Sequence, residues 1–389
     1  MLRLRSSILT QILSSTSFAS PNIFSLHRLL FAATAAPRIS PNPSFAAEDY
    51  LVDTCGLTRA QAVKASAKLS HLKSPCKPDA VLAFLAGLGL SSADVAAAVV
   101  KDPQLLCAGV ERTLAPVVVG LAGLGLSNPE IARVVPIAPE RFRCRSIVST
   151  LQCYLPLFGS LEKLLWMVER RPYLLSGTDT DKVVKPNIAL LRECGLDDCD
   201  IVKLCIPASR MLITKPEKVR AMAACAERIG VPRGSPMFKQ ALHAVAFLSK
   251  EKVTAKVDYL KKTFRWSDAE VSIALAKAPL LLRRSKDMLR HRSEFLVSEV
   301  GLEPAYIARR PVTIGYSLEG RLRPRYYVLK FLKVHGLLDN DPDYYSIVAY
   351  IEKVFVEKFI RPHKEAAPHL AEDYEAACRG EVPTRFRFP

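Results

Sequence analysis

Gly87-Leu88-Gly89-Leu90-Ser91 returns 36 residues later as Gly123-Leu124-Gly125-Leu126-Ser127. The residues after each copy match as well: an acid (Asp94, Glu130), then a β-branched residue (Val95, Ile131), then a proline nine residues after the acid (Pro103, Pro139). A glycine that ends one helix, a serine that opens a short second helix and a proline that stops it make one repeating unit.

The same register runs along the chain. Its glycines are Gly56, Gly89, Gly125, Gly159, Gly195, Gly230, Gly301 and Gly336, with Arg265 in the slot between Gly230 and Gly301. Eight steps cover 280 residues, a mean period of 35. The prolines are Pro103, Pro139, Pro172, Pro279 and Pro311, with Ser209 (beside Pro207) and His243 in the slots between. A short apolar turn follows the proline (Leu105-Leu106, Tyr173-Leu174-Leu175, Leu280-Leu281-Leu282), and a longer helix then runs to the next glycine. No unit buries its apolar face alone, so neighbours must stack. The pattern predicts an all-α chain, an α-solenoid of eight to nine repeats over residues 48–360, with a C-terminal tail at 361–389.

Residues 1–47 have no Asp or Glu, and carry Arg3, Arg5, Arg28 and Arg38 among nine serines. Residues 2–13 place Ile8, Leu9, Ile12 and Leu13 on one side of a helix. Arg-rich, Ser-rich, acid-poor and amphipathic is the composition of an organellar transit peptide, and the early arginines and leucines favour the mitochondrion over the chloroplast. The longest apolar stretch, Val81 to Val100, is broken by Ser91, Ser92 and Asp94, so no membrane span is expected. The ten cysteines show no metal-ligand spacing and read as small apolar residues in a reducing compartment.

A period near 35 also suggests tetratricopeptide or pentatricopeptide repeats. Only Trp166 and Trp266 are available for the tetratricopeptide pattern, and both of those solenoids put proline at the repeat end. The unit instead resembles the repeat of the mitochondrial transcription termination factor (mTERF) family: a helix, a proline and leucine-rich turn, and a second helix. The most specific segment runs from Ala308 to Tyr326 (ARRPVTIGYSLEGRLRPRY), similar to the family's C-terminal pattern RRP-x-x-x-GYSLE-x-R-L-x-PR. The resemblance covers residues 50–360, with departures at Ser209, His243 and Arg265. It implies a basic concave surface that binds double-stranded DNA or structured RNA of an organelle. Transcription termination, other regulation of DNA-templated transcription, intron splicing and RNA processing all lie within what it implies.

The net charge of +17 points to a polyanionic partner in its own right. Read in register, it falls into rows. The apolar anchors of the longer helices are Val184, Val219, Val253, Leu289 and Leu322. One residue past the anchor lie Lys185, Arg220, Arg290 and Arg323; three past it lie Lys256, Arg292 and Arg325; one before it lie Lys252 and Arg321. Arg309 and Arg310 precede Pro311. Equivalent positions of stacked repeats line up, so these eleven residues are the expected phosphate contacts. Between Leu280 and Lys333, twelve Lys and Arg stand against five acids. Tyr316, Tyr326 and Tyr327 lie among them, as base-stacking candidates or as core. No cluster of His, Cys and carboxylates suggests catalysis, a metal or a cofactor. The expectation is a non-enzymatic, monomeric nucleic-acid-binding protein. Its rival is a protein-interaction scaffold that touches no nucleic acid.

Overall fold

A computed structural model describes residues 45–381, save 176, 339 and 341. The expected transit peptide thus lies outside the described residues but for its last three positions. Among the described residues every regular element is helical. The chain divides after Thr178 into two compact units.

The first unit holds α1 (Ala47–Asp53), α2 (Arg59–Ser66), α3 (Cys76–Gly87), α4 (Ser92–Lys101), α5 (Ala115–Ala122), α6 (Asn128–Val134), α7 (Pro139–Phe142), α8 (Ser146–Phe158) and α9 (Leu161–Arg170). The second holds α10 (Lys185–Glu193), α11 (Asp198–Ala208), α12 (Pro216–Arg228), α13 (Phe238–Val245), α14 (Lys250–Phe264), α15 (Asp268–Lys277), α16 (Lys286–Ser293), α17 (Pro304–Arg309), α18 (Arg323–Val334), α19 (Tyr344–Ala349), α20 (Glu352–Phe359) and α21 (Leu370–Cys378).

The glycine register is a backbone requirement. All eight repeat glycines have positive φ, and Arg265 adopts the same left-handed conformation at φ 57°. Gly89 shows what the position does. Its N–H bonds the Ala86 carbonyl at 2.9 Å, and the Leu90 N–H reaches back to Leu85 at 3.2 Å, closing the end of α3. Leu90 then turns into the core and Ser91 caps α4, exchanging hydrogen bonds with Asp94. Each letter of Gly-Leu-Ser therefore has a separate task.

The prolines also act as expected. Pro103, Pro172, Pro279 and Pro311 open short 3-10 turns, and Pro139 opens α7. Leu281 and Leu282 are buried behind Pro279. Ser209 still starts a 3-10 turn, whereas α13 runs straight through His243 and stops only at Val245. A proline there would have broken that helix.

Three longer helices begin with a wide turn that leads to a proline. In Val110–Leu114, Thr180–Val184 and Leu318–Leu322, the N–H groups of Ala115, Lys185 and Arg323 bond five residues back. Pro116, Pro186 and Pro324 come one residue later. A proline ring collides with the carbonyl four residues before it in an ordinary helix, and the wider turn moves that carbonyl aside.

The expected tail is folded through most of its length. α21 buries Leu370, Tyr374 and Ala377 in a cluster with Val328 and Leu332 of α18 and Phe355 of α20. The glycine–proline register ends at Gly336, so these helices carried no repeat signal, although their apolar spacing caps the last repeat.

Candidate nucleic-acid interface

All five apolar anchors (Val184, Val219, Val253, Leu289 and Leu322) are buried, which fixes the three basic rows relative to the core. The rows differ in what their cations touch.

In the row three past the anchor, Arg325 and Arg292 reach into the next repeat. Arg325 is 0% exposed. Its Nη1 donates to the carbonyls of Ile347 (2.8 Å), Val348 (3.3 Å) and Tyr350 (2.7 Å), and its Nη2 to Glu352 (2.8 Å). The guanidinium carbon lies 4.5 Å from the centre of the Phe355 ring. Arg325 is thus withdrawn as a phosphate contact: it clamps carbonyls at the end of α19 that have no helical partner. Asn187 holds the same position in its repeat and donates to Met211, Leu212 and Thr214 at 3.2, 3.0 and 2.6 Å. Arg292, half-buried, donates to the Tyr316 carbonyl at 3.0 Å, and burial lowers its pKa. Lys256 is half-buried and forms no ion pair among the described residues.

The row one past the anchor is largely neutralised within the chain. Lys185 meets Asp181 at 2.6 Å; Arg290 meets Glu294 at 3.3 Å and Asp287 at 3.8 Å; Arg323 meets Glu319 at 3.0 Å and Glu299 at 3.9 Å. A cavity of about 610 Å³ beside Arg323 is lined by Glu294, Glu299, Glu319 and His291. A phosphate arriving there meets three carboxylates. Exposed pairs of this kind are weak, so Lys185 and Arg290 can still change partners, at a cost. Arg220 is exposed and unpaired among the described residues.

Of the remaining predicted residues, Lys252 and Arg309 are exposed. Arg321 lies over Tyr316 at 5.2 Å, and Arg310 is stacked on Tyr306 at 4.5 Å, with Tyr345 at 5.7 Å. Tyr326 is a packing residue, its hydroxyl donating to the Glu299 carbonyl at 2.8 Å, and Tyr327 packs on the C-terminal cluster.

A further set, of which only Arg309 was among the predicted residues, lies along the edge formed by the proline-led turns. In the second unit Lys277 donates to the carbonyl of Arg309 at 2.9 Å, and Arg283 donates to the carbonyl of His243 at 3.3 Å. Arg210 sits 5.6 Å from the Phe247 ring centre. Arg284 is exposed, and with Lys277 it borders a cavity of about 330 Å³ floored by Leu281, Pro311 and Val312. Arg210, Arg283, Arg284 and Arg309 form no ion pair among the described residues. A signal for part of this edge was present: Lys277 and Arg309 stand two residues before the turn proline, the position that Lys101 and Arg170 hold in the first unit. There each cation also complements the C-terminal dipole of its short helix.

The mTERF family model matches residues 82–235 and 157–355. The chain is 24% identical over 175 residues to transcription termination factor MTERF8, chloroplastic, of Arabidopsis thaliana, covering 44% of this chain and 35% of that protein. It is 25% identical over 108 residues to transcription termination factor MTEF18, mitochondrial, of the same plant, covering 28% and 19%. It therefore spans about a third of the first relative's length and about a fifth of the second's.

Proposed function

Because the chain belongs to the mTERF family, we propose that it is an organellar nucleic-acid-binding protein that regulates organelle gene expression, in transcription termination or in RNA processing. It acts by binding, without catalysis, and holds the phosphate backbone of double-stranded DNA or structured RNA. The observation that carries this reading is the edge of Arg210, Arg283, Arg284 and Arg309, cations that form no ion pair among the described residues. Unpaired arginines in the turns of three repeats suit a polyanion, since each phosphate neutralised releases counterions. Among the described residues no helix is long and apolar enough to cross a membrane. The acid-free leader suits import, with the mitochondrion favoured over the chloroplast.

Crosslinking the protein in intact organelles and sequencing the recovered nucleic acid tests the proposal. Enrichment of particular organellar transcripts or genome segments is expected. Recovery at the level of a non-binding control would replace this reading with that of a protein-interaction scaffold. Fusing residues 1–60 to a fluorescent reporter tests the compartment, and a reporter that stays cytosolic would remove the organellar part.

A further inference from the structure

The turn that ends α13 is built against the preference of its own residue. Ala246 has φ −51° and ψ 123°, Phe247 has φ 60°, and the Leu248 N–H closes onto the Val245 carbonyl at 3.0 Å. These are the features of a type II turn, whose third position calls for glycine or asparagine. A bulky residue with positive φ is a conformational outlier. The glycine register supplies the contrast, because its left-handed positions carry glycine everywhere but at Arg265. At Phe247 the chain instead holds a phenyl ring in a costly backbone conformation, and the ring is 43% exposed. Burial therefore does not account for it.

One neighbour of the ring is a cation, and a second is held at the same helix end. Arg210, from the preceding repeat, lies 5.6 Å from its centre, and Arg283, from the following repeat, is tied to the carbonyl of His243 in the same helix end. Phe247 and Arg283 stand at the same place in their repeats, four past the proline slot. Three consecutive turns thus present arginine, phenyl, arginine.

We propose that Phe247 is a base-stacking position, and that this edge takes a nucleic acid containing an unpaired base. The inference rests on the nucleic-acid reading above and deepens it by naming the class of ligand. A phenyl face offers a base hydrophobic contact without selecting among bases, while flanking arginines take the phosphates on either side. Within an intact duplex both faces of a base are covered by its neighbours, so only an unpaired base gains from the ring.

The test uses the full chain and two labelled probes, a 20-nucleotide mixed-sequence RNA free of self-pairing and the duplex DNA of the same sequence. Phe247→Asn removes the ring and suits the left-handed turn, so its melting temperature should match or exceed that of the unaltered protein. Its affinity for the single strand should fall on the order of 10-fold, Phe247→Trp should restore it, and duplex affinity should stay unchanged. Equal losses on both probes, or no loss on either, would overturn the stacking role; the second result would leave the ring as a contact for an apolar protein partner. If the unaltered protein binds neither probe, the nucleic-acid reading itself falls, which distinguishes the two failures.

Discussion

Asn187 and Arg325 occupy the same position in their repeats and perform the same task with different chemistry. Each drives its N–H donors into three backbone carbonyls of the following repeat, at 2.6–3.2 Å for Asn187 and 2.7–3.3 Å for Arg325. The amide does so as a neutral group. The guanidinium brings a charge, which Glu352 balances from a half-exposed position. What looks like the strongest arginine of the basic segment is a joint between repeats.

Replacing Arg325 with Met should destabilise the second unit by about 3 kcal/mol, because buried carbonyls lose their donor. Glu352→Gln should cost under about 1 kcal/mol, since its carboxylate is largely hydrated. Denaturant unfolding separates the two. An Arg325→Met protein as stable as its parent would refute the clamp.

The repeat was legible because its markers are backbone devices. Only glycine enters the left-handed region freely, so Gly89 and Gly125 announce their own conformation, and the proline that ends a helix does the same. Side-chain destinations were not legible at that level. Arg323 and Arg325 are two residues apart and equally basic, yet one faces Glu319 and the other the carbonyls of Ile347 and Tyr350, 22 and 25 residues further on. Asn187 was the available clue: a residue with no use for phosphate at the position read as a phosphate row. α21 was missed because a capping helix has no successor to repeat against.

The left-handed positions make opposite predictions at two sites. Arg265→Gly should stabilise the protein by up to about 1 kcal/mol, since Arg265 alone in the register carries a side chain at positive φ. Gly195→Ala should destabilise it by about 2 kcal/mol or more, because an added Cβ would lie 2.6 Å from Gly234 Cα as well as adopting that φ. Denaturation midpoints report both, and equal effects would mean that the register does not set the backbone.

Tyr306 joins α17 to the start of α19. Burial, then the hydrogen bond it donates to Asp343, push its hydroxyl from the ordinary 10.0 up to about 12. The unfolded chain therefore releases this proton first as pH rises. The stabilisation from Tyr306 should be intact below pH 10, fall between pH 10 and about 12, and change no further above that. Stability measured at pH 9, 10 and 11 should decline less steeply for Tyr306→Phe than for the unaltered protein. Parallel curves would show that Tyr306 titrates alike in both states.

The basic rows and the turn edge are separated by salt dependence. Arg210, Arg284 and Arg309 are exposed and unpaired among the described residues, so converting all three to Gln should leave helicity and melting temperature nearly unchanged. Each lost phosphate contact removes roughly 0.7–0.9 from the slope of log K against log salt, so this variant should lose about two units. Converting Lys185, Arg290 and Arg323 instead should remove less than about one unit, because Asp181, Glu294 and Glu319 already hold these cations and a phosphate must displace them. Both losses should be similar across sequences, since backbone contacts position a protein without reading bases. Anisotropy titrations of each variant at four salt concentrations give the slopes. If the helix row lost two units and the edge none, the phosphates would run along the helices after all. Unaltered slopes in both variants would leave these arginines as solvated surface and put the interaction scaffold first.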